Sequence, residues 1–249
     1  MTIMIIIEMI NSIYKKICVY VAFTKPGISR AQLLTASIGF FLAKQSVAFT
    51  KVYALLMIGT YLFSSAAGGL NNLIERNHDR KMKRTKNRGL VTGEMQTGEA
   101  ILIIGILSLV ASYVTWLINI ETFIISTLTV IIYGFVYTPL KQISWLNTLV
   151  GALPGAMPIL GGWVATGTPI QIVTISVFFT LFAWQIPHFY ALSIMYLEEY
   201  EKAGFKMLPI GDLNFKATKR QVLVFTIVMI FASMGPFLFG YLSLVYLIG

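Results

Sequence analysis

Seven long apolar stretches dominate this chain, near residues 31–49, 52–74, 100–118, 122–138, 146–165, 170–196 and 221–236, and an eighth begins near 238. A helix needs about 20 apolar residues to cross a bilayer core. No water reaches the backbone there, so a spanning segment must bond to itself as a helix or close into a barrel. Barrel strands are about half this length and alternate in polarity. The chain is therefore expected to be an all-α, polytopic transmembrane helical bundle of about eight spans. Charged residues make up only 12% of it, about half the share usual in soluble domains. With no linker and no low-complexity tract, residues 1–249 read as a single membrane domain.

The charges fix a topology. All but Lys44 and Lys51 of the 19 Lys and Arg fall on connections that share one side with the N-terminus. Excess Lys and Arg mark cytoplasmic loops, so the N-terminus and the long loops 75–99 and 198–220 are expected in the cytoplasm. The net charge of +9 then signals topology, not nucleic-acid binding. The opposite connections are tight, at Ile118–Glu121 and Thr166–Pro169. Residues 1–20 carry Glu8, Asn11, Lys15 and Lys16 and no small-residue cleavage site. They read as an interfacial segment, not a cleaved signal. The single cysteine, Cys18, has no internal disulfide partner.

The long loops hold the candidate chemistry. Asn71, Glu75 and Asp79 are spaced four apart at the end of an apolar run. On a helix they form one stripe about 12 Å long. Seven Lys or Arg lie between Arg76 and Arg88. Carboxylates in a row attract a hard divalent cation, and Mg²⁺ usually takes one or two of them together with substrate phosphate oxygens. Lys83, Arg84 and Arg88 then suit a polyanion. The plainer reading makes Glu75 and Asp79 solvated helix-end charges paired with their basic neighbours. In the second loop region Trp184, His188, Met195 and Glu199 share a helical stripe, with Glu198, Glu199 and Glu201 as a second acidic group. An ionisable group within a span is a functional candidate; a packing histidine and a solvated acidic face are the plainer readings. Pro187 frees a carbonyl one turn back. The Tyr133/Tyr137 pair, Asn147 and Gly151, Gly155, Gly161 and Gly162 fit close helix packing or a wall for a flat ligand.

These motifs resemble the UbiA-type intramembrane prenyltransferases, and within them the branch that farnesylates haem. The matching stretches are Thr24–Ile28, Asn71-Asn72 through Arg88, Tyr137–Lys141 with Asn147-Thr148, Trp184–Phe189, and Glu199-Tyr200 with Ala203-Gly204 and Met207–Pro209. The resemblance covers about residues 20–240. It implies about nine spans around a central cavity open to lipid, so the last span is expected to be cut short. It also implies transfer of farnesyl from farnesyl diphosphate to a vinyl group of haem B, with water addition, giving haem O. Carried over by position, Asn71, Glu75, Asp79 and Glu199 would hold Mg²⁺, and Lys83, Arg84 and Arg88 the diphosphate. Tyr137, Lys141 and Trp184 would belong to the substrate site, with Tyr133 and Phe189 as further wall residues. His188 would face the haem as axial ligand, propionate partner or proton partner. Haem is substrate here and Mg²⁺ the cofactor. The implied setting is a bacterial inner membrane, with handover to haem A synthase or terminal-oxidase assembly. Asn77-His78 departs from the acidic-apolar pair usual in the first motif. A prenyltransferase acting on a quinone or other aromatic acceptor is the nearest alternative. A proton- or ion-coupled transporter is the other, but its charges would sit near mid-membrane, whereas here they gather at one face.

Overall fold

The computed structural model describes residues 2–46 and 49–248. They are helical, with no strand among them. The long helices are α1 Thr2–Phe23, α2 Pro26–Lys44, α3 Lys51–Ile74, α4 Thr97–Trp116, α5 Ile120–Ile131, α6 Asn147–Val164, α7 Ile172–Met195 and α8 Lys216–Ser233. The ends are set locally. Thr50 caps α3 by accepting from the Tyr53 N–H at 3.2 Å. Asn119 caps α5 through the Thr122 N–H at 2.8 Å, and Glu99 reaches back to the Gln96 N–H at 2.8 Å to start α4. Each satisfies one of the donors that a helix start leaves free. Pro26 opens α2, where its missing N–H costs nothing.

By length and composition, Lys51–Ile74, Thr97–Trp116, Ile120–Leu140, Ile172–Met195 and Leu213–Leu238 are apolar enough to cross a membrane. Many large apolar side chains on them face outward, including Leu109, Phe179, Leu223 and Phe231. Such a surface would aggregate in water and is at home in lipid. Two expected boundaries move. The first expected span starts at Pro26, not near 31, and the seventh at Lys216, not near 221. The expected eighth helix does not form as one element. A single turn at Gly235–Leu238 is followed by Gly240 in the left-handed region (φ 74°) and a second turn at Val245–Ile248. Of residues 1–20, expected to be interfacial, the described residues 2–20 lie within α1. Its Met9, Ile10, Ile13 and Ile17 are exposed, while its end packs Phe23 against Leu90, Met95 and Ala100.

Helices α2, α3, α5 and α6 pack in a ring; α4 backs α3, and α7 bridges α6 and α8. α2 crosses α6 closely. A Cβ on Gly39 would meet the Ile159 carbonyl, and one on Gly162 the Ala36 carbonyl. Absent side chains let these two backbones touch, the usual basis of close helix association in lipid. The ends of α3, α5 and α7 and the starts of α2, α4, α6 and α8 all lie on one face. The loops 75–96, 141–146 and 196–215 gather there.

α5 does not stay α-helical. Ile132–Tyr137 is π-helical, and Thr138–Leu140 closes the element. The Thr138 N–H bonds five residues back to the Tyr133 carbonyl, and the Thr138 hydroxyl donates to the same oxygen at 2.8 Å. The wider turn carries Tyr133 and Tyr137 on the same side, toward the centre of the ring.

Candidate active site

A cavity of about 520 Å³ runs between α2, α3, α5, α6 and α7. Its middle is mostly apolar and its loop end is charged. That end is built from three paired units. Lys25, in the left-handed region at φ 51° just before α2, donates to the Asn71 amide oxygen. The Asn71 amide nitrogen donates to the Thr138 hydroxyl at 3.1 Å. Lys141 donates to Glu75 at 2.8 Å, and Arg88 donates to Asp79 at 2.5 Å. Asn71, Glu75 and Asp79 are all buried. Asn71 is in the last turn of α3, Glu75 is its C-cap, and Asp79 ends the one-turn helix Arg76–Asp79. The Glu75 N–H bonds to the Asn71 carbonyl at 2.9 Å and the Asp79 N–H to the Glu75 carbonyl at 2.8 Å. Helical spacing therefore persists past the end of α3, and all three residues line the cavity.

The electrostatics are lopsided. Two carboxylates on the wall face four cations, Lys25, Arg84, Arg88 and Lys141. Burial pushes the Glu75 carboxyl up, but Lys141 and Lys25 outweigh it and hold the carboxyl below its usual range. Burial disfavours the Lys141 ammonium, yet Glu75 and the tyrosine pair keep it well above its usual value. At Asp79 burial wins over Arg88, and its carboxyl is raised. Lys25 is lowered to about 7, by burial first and then by Arg88. Buried positive charge in excess of its partners is a standing invitation to an anion.

The loops that carry these groups dock on each other. His78 Nδ1 lies 2.7 Å from the Ala203 carbonyl oxygen and donates to it, and the His78 ring packs on Phe205 with centroids 5.1 Å apart. Met82 sits among Ala203, Phe205 and Met207. The Lys206 N–H donates to the Lys141 carbonyl at 2.7 Å. Asn147 donates to the Lys206 carbonyl at 2.8 Å and to the Ser144 carbonyl at 2.7 Å. The Lys141 backbone is thus fixed from one side while its ammonium lies 4.7 Å from the Tyr137 ring centroid.

Below the charged end the wall is aromatic. Tyr133 and Tyr137 have ring centroids 5.3 Å apart, and Tyr137 lies on Gly151, where a Cβ would strike its ring. On α7, Trp184 stacks on His188 at 5.0 Å and 10°. Both are exposed and line the cavity, as does Phe189. α7 runs unbroken through Pro187.

Of the residues singled out in the sequence, the cavity unites Asn71, Glu75, Asp79, Arg84, Arg88, Tyr133, Tyr137, Lys141, Trp184, His188 and Phe189. It does not include Lys83, which is exposed, or Glu199. The expected stripe from Trp184 to Glu199 ends because α7 stops at Met195. Tyr196, at φ −113°, turns the chain into a separate helix, Leu197–Ala203. Glu199 instead accepts from the Arg84 N–H at 3.4 Å. Lys25, Gln185, Tyr200 and Phe205 line the cavity without having been picked out as site residues. Lys25, Gln185 and Tyr200 fall inside the stretches that carry the resemblance but have no role assigned there, and Phe205 lies outside them.

Asn71, Glu75 and Asp79 supply hard oxygen donors on one wall. That donor set suits Mg²⁺ completed by substrate phosphate oxygens and water. Among the described residues no group of three or more His, Cys, Asp and Glu could hold a metal ion by itself. The residues therefore fit an ion that arrives with a polyanion.

The sequence profile of the UbiA prenyltransferase family matches residues 32–249. The chain belongs to the UbiA prenyltransferase family. It is accordingly a multi-pass membrane protein of a prenyl-transferring family. Within the UbiA family it is 37% identical to the protoheme IX farnesyltransferase of Solibacter usitatus over 240 residues, covering 92% of this chain and 82% of that one. It is 36% identical over 226 residues to the protein of that name from Flavobacterium psychrophilum, covering 90% and 75%. The fold matches that of a UbiA homolog from Archaeoglobus fulgidus bound to DMAPP and Mg²⁺. The TM-score is 0.76 at 21% identity, over 92% of this chain and 81% of that one. A UbiA homolog from Aeropyrum pernix K1, solved in its apo form, gives a TM-score of 0.70 at 19% identity, over 88% and 82%.

Proposed function

We propose that this protein transfers the farnesyl group of farnesyl diphosphate to a vinyl group of haem B, with addition of water, to give haem O. The observation that carries the reading is the cavity itself: a buried charged end with cations in excess, opening directly onto an apolar, aromatic-walled chamber. One end suits a diphosphate and the other a prenyl chain. The exposed Trp184–His188 stack offers a flat surface to a porphyrin. The names of the curated relatives support the same donor and acceptor.

In this reading Lys25, Arg84, Arg88 and Lys141 bind the diphosphate and neutralise it as the allylic C–O bond breaks, placing positive charge where negative charge develops. Mg²⁺, held by Glu75 and Asp79 with Asn71 beside them, would add Lewis-acid stabilisation of the departing oxygens. Tyr133, Tyr137 and Phe189 keep the allylic cation dry and present ring faces to it. Trp184 and His188 orient the porphyrin so that a vinyl carbon meets the farnesyl C1. The whole chain acts as one membrane domain. The charged face lies in the cytoplasm of a bacterial inner membrane, and the product passes to haem A synthase or to terminal-oxidase assembly.

The test is purified protein with haem B, farnesyl diphosphate and Mg²⁺, read by mass for haem O. Conversion of a quinone precursor but not of haem B would move the acceptor assignment to the other branch. Chelation with EDTA is expected to stop turnover and Mg²⁺ to restore it; turnover unchanged in excess EDTA would remove the metal. Asp79→Asn is expected to cut turnover by roughly a hundredfold or more while the protein still inserts in membranes. Near-native rates in that variant would return Asp79 to a structural partner of Arg88.

A further inference from the structure

Among the polar side chains on the cavity wall that the reading above leaves unused, one adjoins the Trp184–His188 stack. Gln185 is 7% exposed and lines the cavity, one residue from Trp184 and three from His188. Its amide occupies the space that a Cβ on residue 155 would take, so glycine there makes the seat. The Gln185 nitrogen makes only a long bond, 3.4 Å, to the Leu181 carbonyl of its own helix. Its oxygen accepts from no side chain or backbone group among the described residues. The oxygen is open to the cavity, and an amide with unspent hydrogen-bonding capacity on a mostly apolar wall is a seat for a polar partner.

Its depth indicates the partner. Along α6, counted from the charged end, come Asn147, Gly151 under Tyr137, and then Gly155 under Gln185. Gly155 is four residues beyond Gly151, about 6 Å further from the charged end. The farnesyl C1 lies one bond from the diphosphate oxygen, and the vinyl carbon that becomes cationic lies two bonds beyond that. The amide is therefore close to the depth at which the second cation forms.

We propose that Gln185 holds the water that adds to this cation, and so directs the reaction to a hydroxylated product. The inference rests on the proposed transfer to a haem vinyl group. The farnesyl C1–O bond breaks and its electron pair leaves with the diphosphate. The vinyl π pair forms the new C–C bond to C1. Positive charge is left on the vinyl carbon next to the pyrrole ring. The water, donating one hydrogen to the Gln185 amide oxygen, forms the C–O bond with its lone pair, and its proton passes to the released diphosphate. Without that water the cation loses a proton from carbon, and the product is lighter by one water.

The test follows products by mass with haem B, farnesyl diphosphate and Mg²⁺. Gln185→Met keeps the volume and loses the acceptor. It is expected to convert most of the product to the dehydrated form, a shift of roughly tenfold in the ratio for one lost hydrogen bond, with diphosphate release little changed. Gly155→Ala pushes the amide out of its seat without altering its chemistry and is expected to shift the ratio the same way. Gln185→Glu keeps an acceptor oxygen and is expected to retain the hydroxylated product. Only hydroxylated product from both Gln185→Met and Gly155→Ala overturns the proposal and leaves the farnesyl transfer standing. So does complete loss of C–C bond formation in a folded Gln185→Met, because the assigned step comes after it. No farnesylated haem from the native protein brings down the transfer itself, and this inference with it.

Discussion

Replacing Lys141 by methionine is expected to abolish turnover and to lower thermal stability in detergent by several degrees. The lysine is 13% exposed and its partner Glu75 6% in their side chains. Removing one member of a buried ion pair leaves the other charge without compensation, which costs roughly 3–5 kcal/mol. Here part of that is returned when Glu75 takes a proton. The activity loss has a separate origin, since Lys141 is one of four cations at the charged end. The double variant Lys141→Met with Glu75→Gln separates the two effects. It removes the stranded carboxylate, so stability is expected to recover, while diphosphate release stays at background. Thermal melting and diphosphate release on the two variants decide the matter. If the single variant keeps more than about a tenth of native turnover, the interaction is worth less than about 1.4 kcal/mol in the transition state, too little for the role assigned.

The second large effect concerns the fold. Gly162→Val is expected to prevent stable accumulation of the protein, and Gly39→Val to do the same from the other side. In both, a new side chain would meet backbone, not a flexible side-chain end: Ala36 and Phe40 for Gly162, and Ile159 for Gly39. Helix axes must then separate, and overpacking of this kind costs roughly 3 kcal/mol or more. Gly105→Ala in α4 is the control, because a Cβ there meets nothing within 4 Å. That change is expected to raise stability by about 0.5–1 kcal/mol through helix propensity. Yield and melting temperature in one detergent compare the three directly. Normal yield of Gly162→Val would mean that α2 and α6 do not cross as described.

Most of the helical layout could be read in advance because apolar length is a one-dimensional property. The exceptions are instructive. Lys219 and Arg220 hid the first turn of α8, since long basic side chains can lie along a helix and reach water. Arg30 hid the start of α2 in the same way, although Pro26 marks it in hindsight. The break at Tyr196 had no marker. Met195, Tyr196 and Leu197 are all compatible with helix, and the turn comes from how loop 196–215 docks on the Lys141 turn and on the loop bearing His78. Losing that helical continuity removed Glu199 from the expected stripe. On α3 spacing of four was a sound guide, because hydrogen bonding at helical spacing continues through Glu75 to Asp79. Lys25 joins the site from about 46 positions away from Asn71 along the chain, a meeting that only the packed bundle creates. Gln185 was quoted within a motif, yet its unspent amide becomes visible only once Gly155 is seen beneath it.

The π-helical turn in α5 sets the phase of everything beyond it. Relative to a regular α-helix, Ile132–Tyr137 holds one residue more than its length calls for. Wound as ordinary α-helix with every residue kept, the segment would bring Thr138, Pro139 and Lys141 about 100° out of register. Thr138 would leave Asn71, and Lys141 would point away from Glu75, with no active-site side chain removed. Deleting Val136, which faces outward, takes out the extra residue, so α5 can relax to ordinary winding with the cationic end still in phase. The register of the cationic end is thus stored in a residue count and not in a contact. Activity kept on deleting Val136, set against its loss on inserting one alanine after Val136, would read that stored register directly.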